Sequence, residues 1–523
     1  MANGKWMLGL RWVILLASLL LFACKPGGET SELPSGRGAV IRLADADARG
    51  LDPQVVSDLA SIRIAADQFE GLMRFNRKGE AEAGLAEAWQ VSSDGRRWTF
   101  QLRGGLAFSD GEPITAAIFA KALARIRDAK TASPHAALFA IIEKIETPGA
   151  RTVILHLTQP FPQLPALLAH PAMAALPFHR IEATGDGWTA ERPLVTSGPY
   201  RLTGWKLAQA ITLEANPRWH GGKPATAKII WRAMENPQSA MRLMLARGAD
   251  VSSNFPASRL GWLRENHAKL LHVHDYLGSY YFAFNTRRAP FDNRNVRLAL
   301  AMAVDREWIA KDMIAAGNEP AWGLLPPGLS GGDSAKPEWA DWARERRLAA
   351  ARRLLAKAGY GKKKPLTFDV RFNSSSEHRR AAVAMATMWR DIGVDAKLLN
   401  SEASLHFDAL RRGDFDLARS GWIADLPAPE NFLGVHRSDA GPQNYSGYAN
   451  PAYDAALDNA LSEPDPAKRR MKIRAAEMML IADMPILPLY FYVSRSLVQP
   501  DIRGWSDNIS NVHPSRFLHK VAK

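Results

Sequence analysis

The sequence predicts a multi-lobed α/β protein in which strands alternate with amphipathic helices, and three observations carry that expectation. Trp98, Phe100 and Leu102 alternate with Thr99, Gln101 and Arg103, and Leu366, Phe368, Val370 and Phe372 repeat the pattern, which is the period of half-buried strands. Other stretches carry helical spacing, such as Leu348, Ala351, Leu355 and Ala358 ahead of Gly359. The third observation is size. The 523 residues, 47% hydrophobic and 23% charged, exceed one ordinary core, and at about 150 residues per domain they suggest roughly three.

At the N-terminus, Lys5 and Arg11 precede an apolar run over residues 12–23 that is too short to cross a bilayer as a mature helix. Residues 1–23 therefore read as a secretion signal. Cys24, the only cysteine, follows directly in Leu21-Phe22-Ala23-Cys24. That context resembles the lipobox of bacterial lipoproteins, in which the cysteine is acylated and begins the mature chain; Phe22 departs from the small or branched residue usual at its place. A chance cysteine at a cleavage site is the plainer alternative. A lone cysteine forms no internal disulfide, so the fold must hold by its core. Residues 24–37, rich in Gly, Pro, Ser and Glu, read as a tether.

Taking the rest in order, residues 39–43 are branched enough for a first strand, and Leu51-Asp52-Pro53 turns the chain into a helical segment ending near Phe69-Glu70-Gly71-Leu72. The Trp98 strand follows the turn Ser93-Asp94-Gly95, and Pro113-Ile114-Thr115 opens a helix through Ile126. Tyr276-Leu277-Gly278-Ser279-Tyr280-Tyr281-Phe282 is a strand with aromatics on both faces, leading into a helix over 296–316. The Leu366 strand precedes a helix from about 379 to 392. A further helix near 467–482 precedes the apolar run Leu487-Pro488-Leu489-Tyr490-Phe491-Tyr492-Val493.

Between those last two helices lies Arg419-Ser420-Gly421-Trp422-Ile423-Ala424-Asp425. Its approach, Phe415-Asp416-Leu417-Ala418, is short and partly apolar, and Pro427 and Pro429 halt regular pairing, so a strand delivers Trp422 and Asp425 into a loop. A carboxylate beside a large aromatic, with an arginine six residues upstream, offers an anion for an ammonium, an amphipathic surface and a cation for a carboxylate. Those needs describe a peptide. The plainer meaning is that Trp422 packs in a core and Asp425 caps a turn.

This segment, with Pro429-Glu430-Asn431-Phe432-Leu433 after it, resembles the ligand-contacting segment of oligopeptide-binding proteins, the family 5 extracellular solute-binding component of ABC-type peptide importers. Asp52-Pro53, Glu70-Gly71-Leu72, Ser109-Asp110-Gly111, Pro113-Ile114-Thr115-Ala116, Ser197-Gly198-Pro199-Tyr200 and Asn216-Pro217-Arg218-Trp219 match further signatures of that family; Ile118 departs, standing where an acidic residue is usual. The resemblance implies a two-lobed periplasmic-binding-protein fold of the class with an extra third domain, its mixed sheets flanked by helices around a hinged ligand cleft. Carried over, lobe I takes residues 38–69, 197–276 and 493–523, accessory domain II takes 70–196, and lobe III takes 277–492.

It also implies roles. Asp425 would hold the peptide α-ammonium, Trp422 would floor a side-chain pocket, and the backbone of Gly421, Ile423 and Ala424 would pair with the peptide as a neighbouring strand. Arg419 and His378 match positions that meet peptide carboxylates, although His378 also reads as an exposed helix-start residue. Tyr276 and Tyr281 match aromatics lining the cleft, and His135 stands where a cleft tyrosine is common. Gly278 and Ile423 stand where some relatives carry a disulfide. Ala403 and Leu410 replace a tryptophan and an arginine of the best-known relatives, which points to a distinct ligand set.

The formal charge of +14 becomes 14 − 2 = +12 without Lys5 and Arg11. A secretion signal and the absence of interleaved aromatics argue against nucleic acid. The densest basic cluster, Arg344, Arg346, Arg347, Arg352, Arg353 and Lys357, reads as the solvated face of a helix, with attraction to an anionic membrane as the lesser option. No His-Glu-x-x-His helix, Cys-x-x-Cys pair or phosphate loop suggests an enzyme, a cofactor or a metal. The expected protein is a lipid-anchored, periplasmic, monomeric receptor that hands an oligopeptide to ABC permease subunits in the membrane. The alternatives are a non-peptide solute, signalling or chaperoning without import, and a secreted hydrolase.

Overall fold

Branched and aromatic residues in alternation favour the pleated, half-buried surface of a sheet, and most of them enter one sheet here. The computed structural model describes residues 38–521 other than 331–334, 425 and 464. The signal, Cys24, the tether and Asp425 thus lie outside the described residues.

Among the described residues, ten strands form a mixed sheet in the order Val394–Ser401, Leu366–Asn373, Leu417–Ile423, Leu271–Phe284, Ile486–Val498, Val251–Ser252, Ala39–Ala44, Lys228–Ala233, Ala210–Ala215 and Tyr200–Lys206. Its middle is the antiparallel pair Leu271–Phe284 and Ile486–Val498, whose register shifts between Asp275 and Ser279 and again between Tyr280 and Tyr281. A strand bends where its ladder is interrupted. A separate antiparallel sheet orders Ala86–Val91, Arg97–Leu102, Thr152–Leu157 and Ile142–Glu146.

Helices cover the sheets and enclose several apolar cores. One core joins the four-stranded sheet, through Phe100 and Leu155, to Val40 of the first strand, and a second packs Phe282, Trp389 and Leu489 together. A third gathers Tyr281, Phe432 and Tyr453 under the Leu417–Ile423 strand. No helix among the described residues is long and apolar enough to cross a membrane.

Three expectations need correction. The helix expected over 296–316 is Arg294–Ala303 followed by a separate π-type turn, Trp308–Ile314. Arg306 turns inward and donates to the carbonyls of Ala301 at 2.9 Å and Pro488 at 2.8 Å, while Asp305 accepts from the amide of Trp308 at 3.1 Å. One helix is thus capped and the next begun. Trp422 lies inside its strand rather than in the loop, because pairing with the Leu271–Phe284 strand continues to Ile423. In the basic helix Arg344–Lys357, Arg347 is buried, its guanidinium 5.7 Å from the Trp322 ring centroid, and only the rest of the cluster is a solvated face.

Candidate functional site

The register of the Leu417–Ile423 strand decides which of its side chains can meet. Ser279 lies opposite Trp422, Tyr280 opposite Gly421, and Gly278 opposite Ile423. Successive side chains take opposite faces, so Arg419, Gly421 and Ile423 share one face and Ser420 and Trp422 the other. Arg419 and Trp422 therefore serve different surfaces.

On the Trp422 face, the indole Nε1 donates to Asn431 Oδ1 at 3.1 Å, tying the strand to the helix Pro429–Leu433, and the ring packs on the third core. Tyr281 is buried in the same core beside His436, and burial pushes its hydroxyl pKa up. On the Arg419 face three tyrosines gather. Tyr280 stacks on Tyr490 with centroids 4.4 Å apart, the Arg419 guanidinium lies 5.1 Å from the Tyr280 ring, and its Nη2 donates to Tyr492 Oη at 2.9 Å. Asn373 Oδ1 accepts from Nη1 at 3.4 Å, and among the described residues the buried Nε has no hydrogen-bond partner.

His378 joins this cluster, with Nδ1 3.1 Å from Tyr280 Oη. It is half-buried, and burial, followed by the charge of Arg419, lowers its pKa to about 3. The imidazole is neutral at pH 7. Of the two residues expected to meet a carboxylate, Arg419 is the one whose charge its surroundings favour.

The backbone supplies the second feature. Ala424 donates its amide to Leu277 O at 2.8 Å, and the carbonyl of Arg419, at the opposite edge, accepts from His406 Nε2 at 2.8 Å. Alternation then turns Gly421 and Ile423 to the edge of Arg419, away from the Leu271–Phe284 strand. The neighbour on that side, Leu366–Asn373, pairs only with Leu417 and Ala418. Beyond Ala418, apart from the His406 bond to the Arg419 carbonyl, no strand among the described residues pairs with this edge, which is open at Gly421 and Ile423.

Beside this edge is a cavity of about 290 Å³, lined by Tyr276, Leu277, Ile423, Ala424 and Pro427 from one side. The opposite wall carries four arginines, Arg42, Arg63, Arg74 and Arg516, against two carboxylates, Asp67 and Glu70. Both carboxylates are engaged. Asp67 accepts from the Ser515 amide at 3.0 Å and hydroxyl at 2.6 Å, and from Trp231 Nε1 at 3.1 Å. Glu70 accepts from Trp219 Nε1 at 2.8 Å and lies 2.6 Å from His220 Nε2. Burial would raise the Glu70 pKa, but the His220 hydrogen bond and the charges of His220 and Arg74 outweigh it, so the net shift is down.

Of the expected site residues, the cavity brings together Tyr276, Ile423 and Ala424, while Arg419, Gly421 and His378 belong to the tyrosine cluster on the same strand face. Trp422 and Tyr281 stand behind the strand. His135 is buried with Nε2 2.8 Å from Val56 O and its ring 4.8 Å from that of His170, and it is His170 that lines the cavity. Leu410 is fully buried in the third core, and Ala403 starts its helix at the surface. Sequence reasoning missed Arg63, Tyr492 and the wall from residues 510–514. For Tyr492 a signal existed, the alternation of Tyr490 and Tyr492. Among the described residues, no group of three or more histidine, cysteine or carboxylate side chains is placed to hold a metal.

Residues 80–444 match the family described as bacterial extracellular solute-binding proteins, family 5. The chain is 32% identical to the periplasmic oligopeptide-binding protein OppA of Escherichia coli, over 97% of this chain and 96% of that one. It is also 32% identical to the periplasmic murein peptide-binding protein MppA of the same organism, over 94% and 96%. Among solved structures, the unliganded open form of MppA superposes with a TM-score of 0.81 at 31% identity, covering 93% of this chain and 98% of that one. Haemophilus influenzae OppA in complex with the peptide RPPGFSPFR gives 0.78 at 29% identity, covering 93% and 99%. The expected fold class, an α/β binding-protein fold with a large mixed sheet flanked by helices, is borne out, and the chain is a binding protein of a transport family rather than an enzyme. The chain belongs to the family 5 bacterial extracellular solute-binding proteins.

Proposed function

We propose that this protein captures an oligopeptide outside the cytoplasm and delivers it to an ABC permease. The observation that carries this reading is the open edge at Gly421 and Ile423 beside a cavity. An extended peptide adds to such an edge as a strand, gaining affinity from main-chain hydrogen bonds without reading sequence. Ile423 lines the cavity, and Arg419 lies four residues back on the same strand face, about 13 Å at a strand's rise of roughly 3.3 Å per residue. An extended ligand of about four residues spans that distance, with its carboxylate at Arg419. Asp425, two residues beyond Ile423, takes the ammonium. MppA is a murein tripeptide-binding protein and Haemophilus influenzae OppA is seen with a nonapeptide, both consistent with a peptide ligand here.

In this reading the protein is a monomer in the periplasm, tethered by an acyl chain on Cys24, with the lobe boundaries given above and a hinge between them. Titration calorimetry with a tetrapeptide tests the site. Asp425→Asn keeps shape and removes charge, so affinity should fall at least tenfold, each factor of ten being about 1.4 kcal/mol. Unchanged affinity would make Asp425 a turn residue. Detergent-phase partitioning tests the anchor: Cys24→Ser should move the protein to the aqueous phase, and retention with detergent would place the anchor elsewhere.

A further inference from the structure

The helix Leu59–Ala66 is apolar on two sides. Ala60, Ser61, Ile64 and Ala65 are buried in its lobe, as expected of a packed face. The opposite face, Leu59, Ile62, Arg63 and Ala66, has the spacing i, i+3, i+4, i+7 of a single helix stripe, and all four residues line the cavity. Arg63 is the only charge on that stripe.

The other arginines of the wall are committed. Arg42 donates to His513 O at 2.8 Å and Ser515 Oγ at 2.6 Å, Arg74 pairs with Glu82 at 2.9 Å, and Arg516 bonds the carbonyl of Phe75 and Glu82. Among the described residues, no hydrogen bond or ion pair holds the Arg63 guanidinium. Tyr276 across the cavity and, more weakly, the exposed Asp45 act on it through their fields, and Asp67 and Glu70 are engaged elsewhere. A half-buried guanidinium in an apolar stripe, bonded to no carboxylate among the described residues, is a fork of donors waiting for an acceptor. Its place in the last helical turn suits the helix dipole, which explains why a cation is tolerated there but not why it faces the cavity.

We propose that Arg63 is a specificity-determining residue that selects peptides carrying a carboxylate beyond the C-terminal one, such as a glutamate side chain. This rests on the peptide reading above, in which Arg419 takes the main-chain carboxylate and leaves a second cation for a second anion. The four arginines against two carboxylates make the wall electropositive, so an acidic peptide is favoured over a neutral one of the same shape.

The test is calorimetry on the full mature protein with two matched sets of tetrapeptides, alanine throughout except for one glutamate or one glutamine at each of the first three positions. At one position the glutamate peptide should bind about tenfold more tightly than its glutamine isostere. Arg63→Gln should bring that ratio to about one while leaving the glutamine peptides within about threefold of wild type, and Arg63→Lys should restore part of the preference. A ratio near one at every position in wild type overturns the inference and leaves peptide binding standing. So does a preference that survives Arg63→Gln, or an equal loss for both sets, which would mean that Arg63 builds the site rather than reads charge. If no peptide of either set binds the wild type, the peptide reading itself falls and this inference with it.

Discussion

Gly421 leaves the space that Tyr492 occupies: a Cβ at Gly421 would stand 2.9 Å from Tyr492 Oη and 3.0 Å from the backbone carbonyl of Ser279. The tyrosine hydroxyl is the group that accepts from Arg419 Nη2. Gly421→Ala therefore displaces Tyr492 and with it the guanidinium. Overpacking of this kind costs about 1–3 kcal/mol, and a urea denaturation midpoint measures it. Peptide affinity should fall as well. A variant with wild-type stability and affinity would show that the ring moves freely and does not position Arg419.

Glu70 is a buried carboxylate that holds Trp219, His220 and Arg74 together. Its folded pKa is depressed, so its contribution to stability is fully present above the ordinary glutamate value of 4.5 and is lost as pH falls through the folded value. Glu70→Ala leaves His220 and the Trp219 N–H without their acceptor. The expected loss at pH 7 is about 3–5 kcal/mol, shrinking when the comparison is repeated at pH 4. An equal loss at both pH values would mean that packing, not charge, is what the residue supplies.

How far the sequence told this structure depends on how local each feature is. Arg97–Leu102, Leu366–Asn373 and Pro466–Asp483 were legible because each carries its own period and its own turn or cap. The end of the Trp422 strand was not, because the pairing that extends it to Ile423 comes from Gly278, well over a hundred residues earlier. The break after Ala303 depends on Arg306 reaching Pro488, again a distant partner. At the site, Ile423 and Ala424 stood out as part of one contiguous motif. Arg63 did not, because a helix apolar on two sides gives no sign of which side meets solvent, and only the assembled wall shows it. The low pKa of His378 was not legible either, since it comes from burial and then from the charge of Arg419, a partner distant in sequence.

His436 is buried beside Tyr281, and among the described residues neither ring nitrogen has a hydrogen-bond partner. Burial lowers its pKa to about 3 from 6.5, so the unfolded chain takes up a proton that the folded chain refuses. Stability is unaffected by this group above pH 6.5 and falls as pH drops from 6.5 towards 3. His436→Phe removes two unsatisfied polar atoms and the titration together. It should be neutral to stabilising by about 1–2 kcal/mol at pH 7, and its stability should decline less steeply between pH 6.5 and 4. Destabilisation at pH 7 would show that the ring nitrogens are satisfied in solution.

Ile423 tests the open edge directly. Its amide faces away from the Leu271–Phe284 strand, as the alternate residue to Ala424, whose amide is given to Leu277. Proline lacks that amide and is tolerated in strands where the lost N–H faces no ladder partner. Ile423→Pro should therefore fold, with a thermal midpoint near wild type, whereas Trp422→Pro removes a ladder donor and should lower the midpoint by several degrees. If a peptide adds to this edge, Ile423→Pro deletes one of its hydrogen bonds and should weaken a tetrapeptide by about tenfold in calorimetry. Ile423→Ala, which keeps the amide and trims the exposed side chain, separates the two contributions. Should Ile423→Pro bind as tightly as Ile423→Ala, the ligand is held by side chains in the cavity and not by the strand edge.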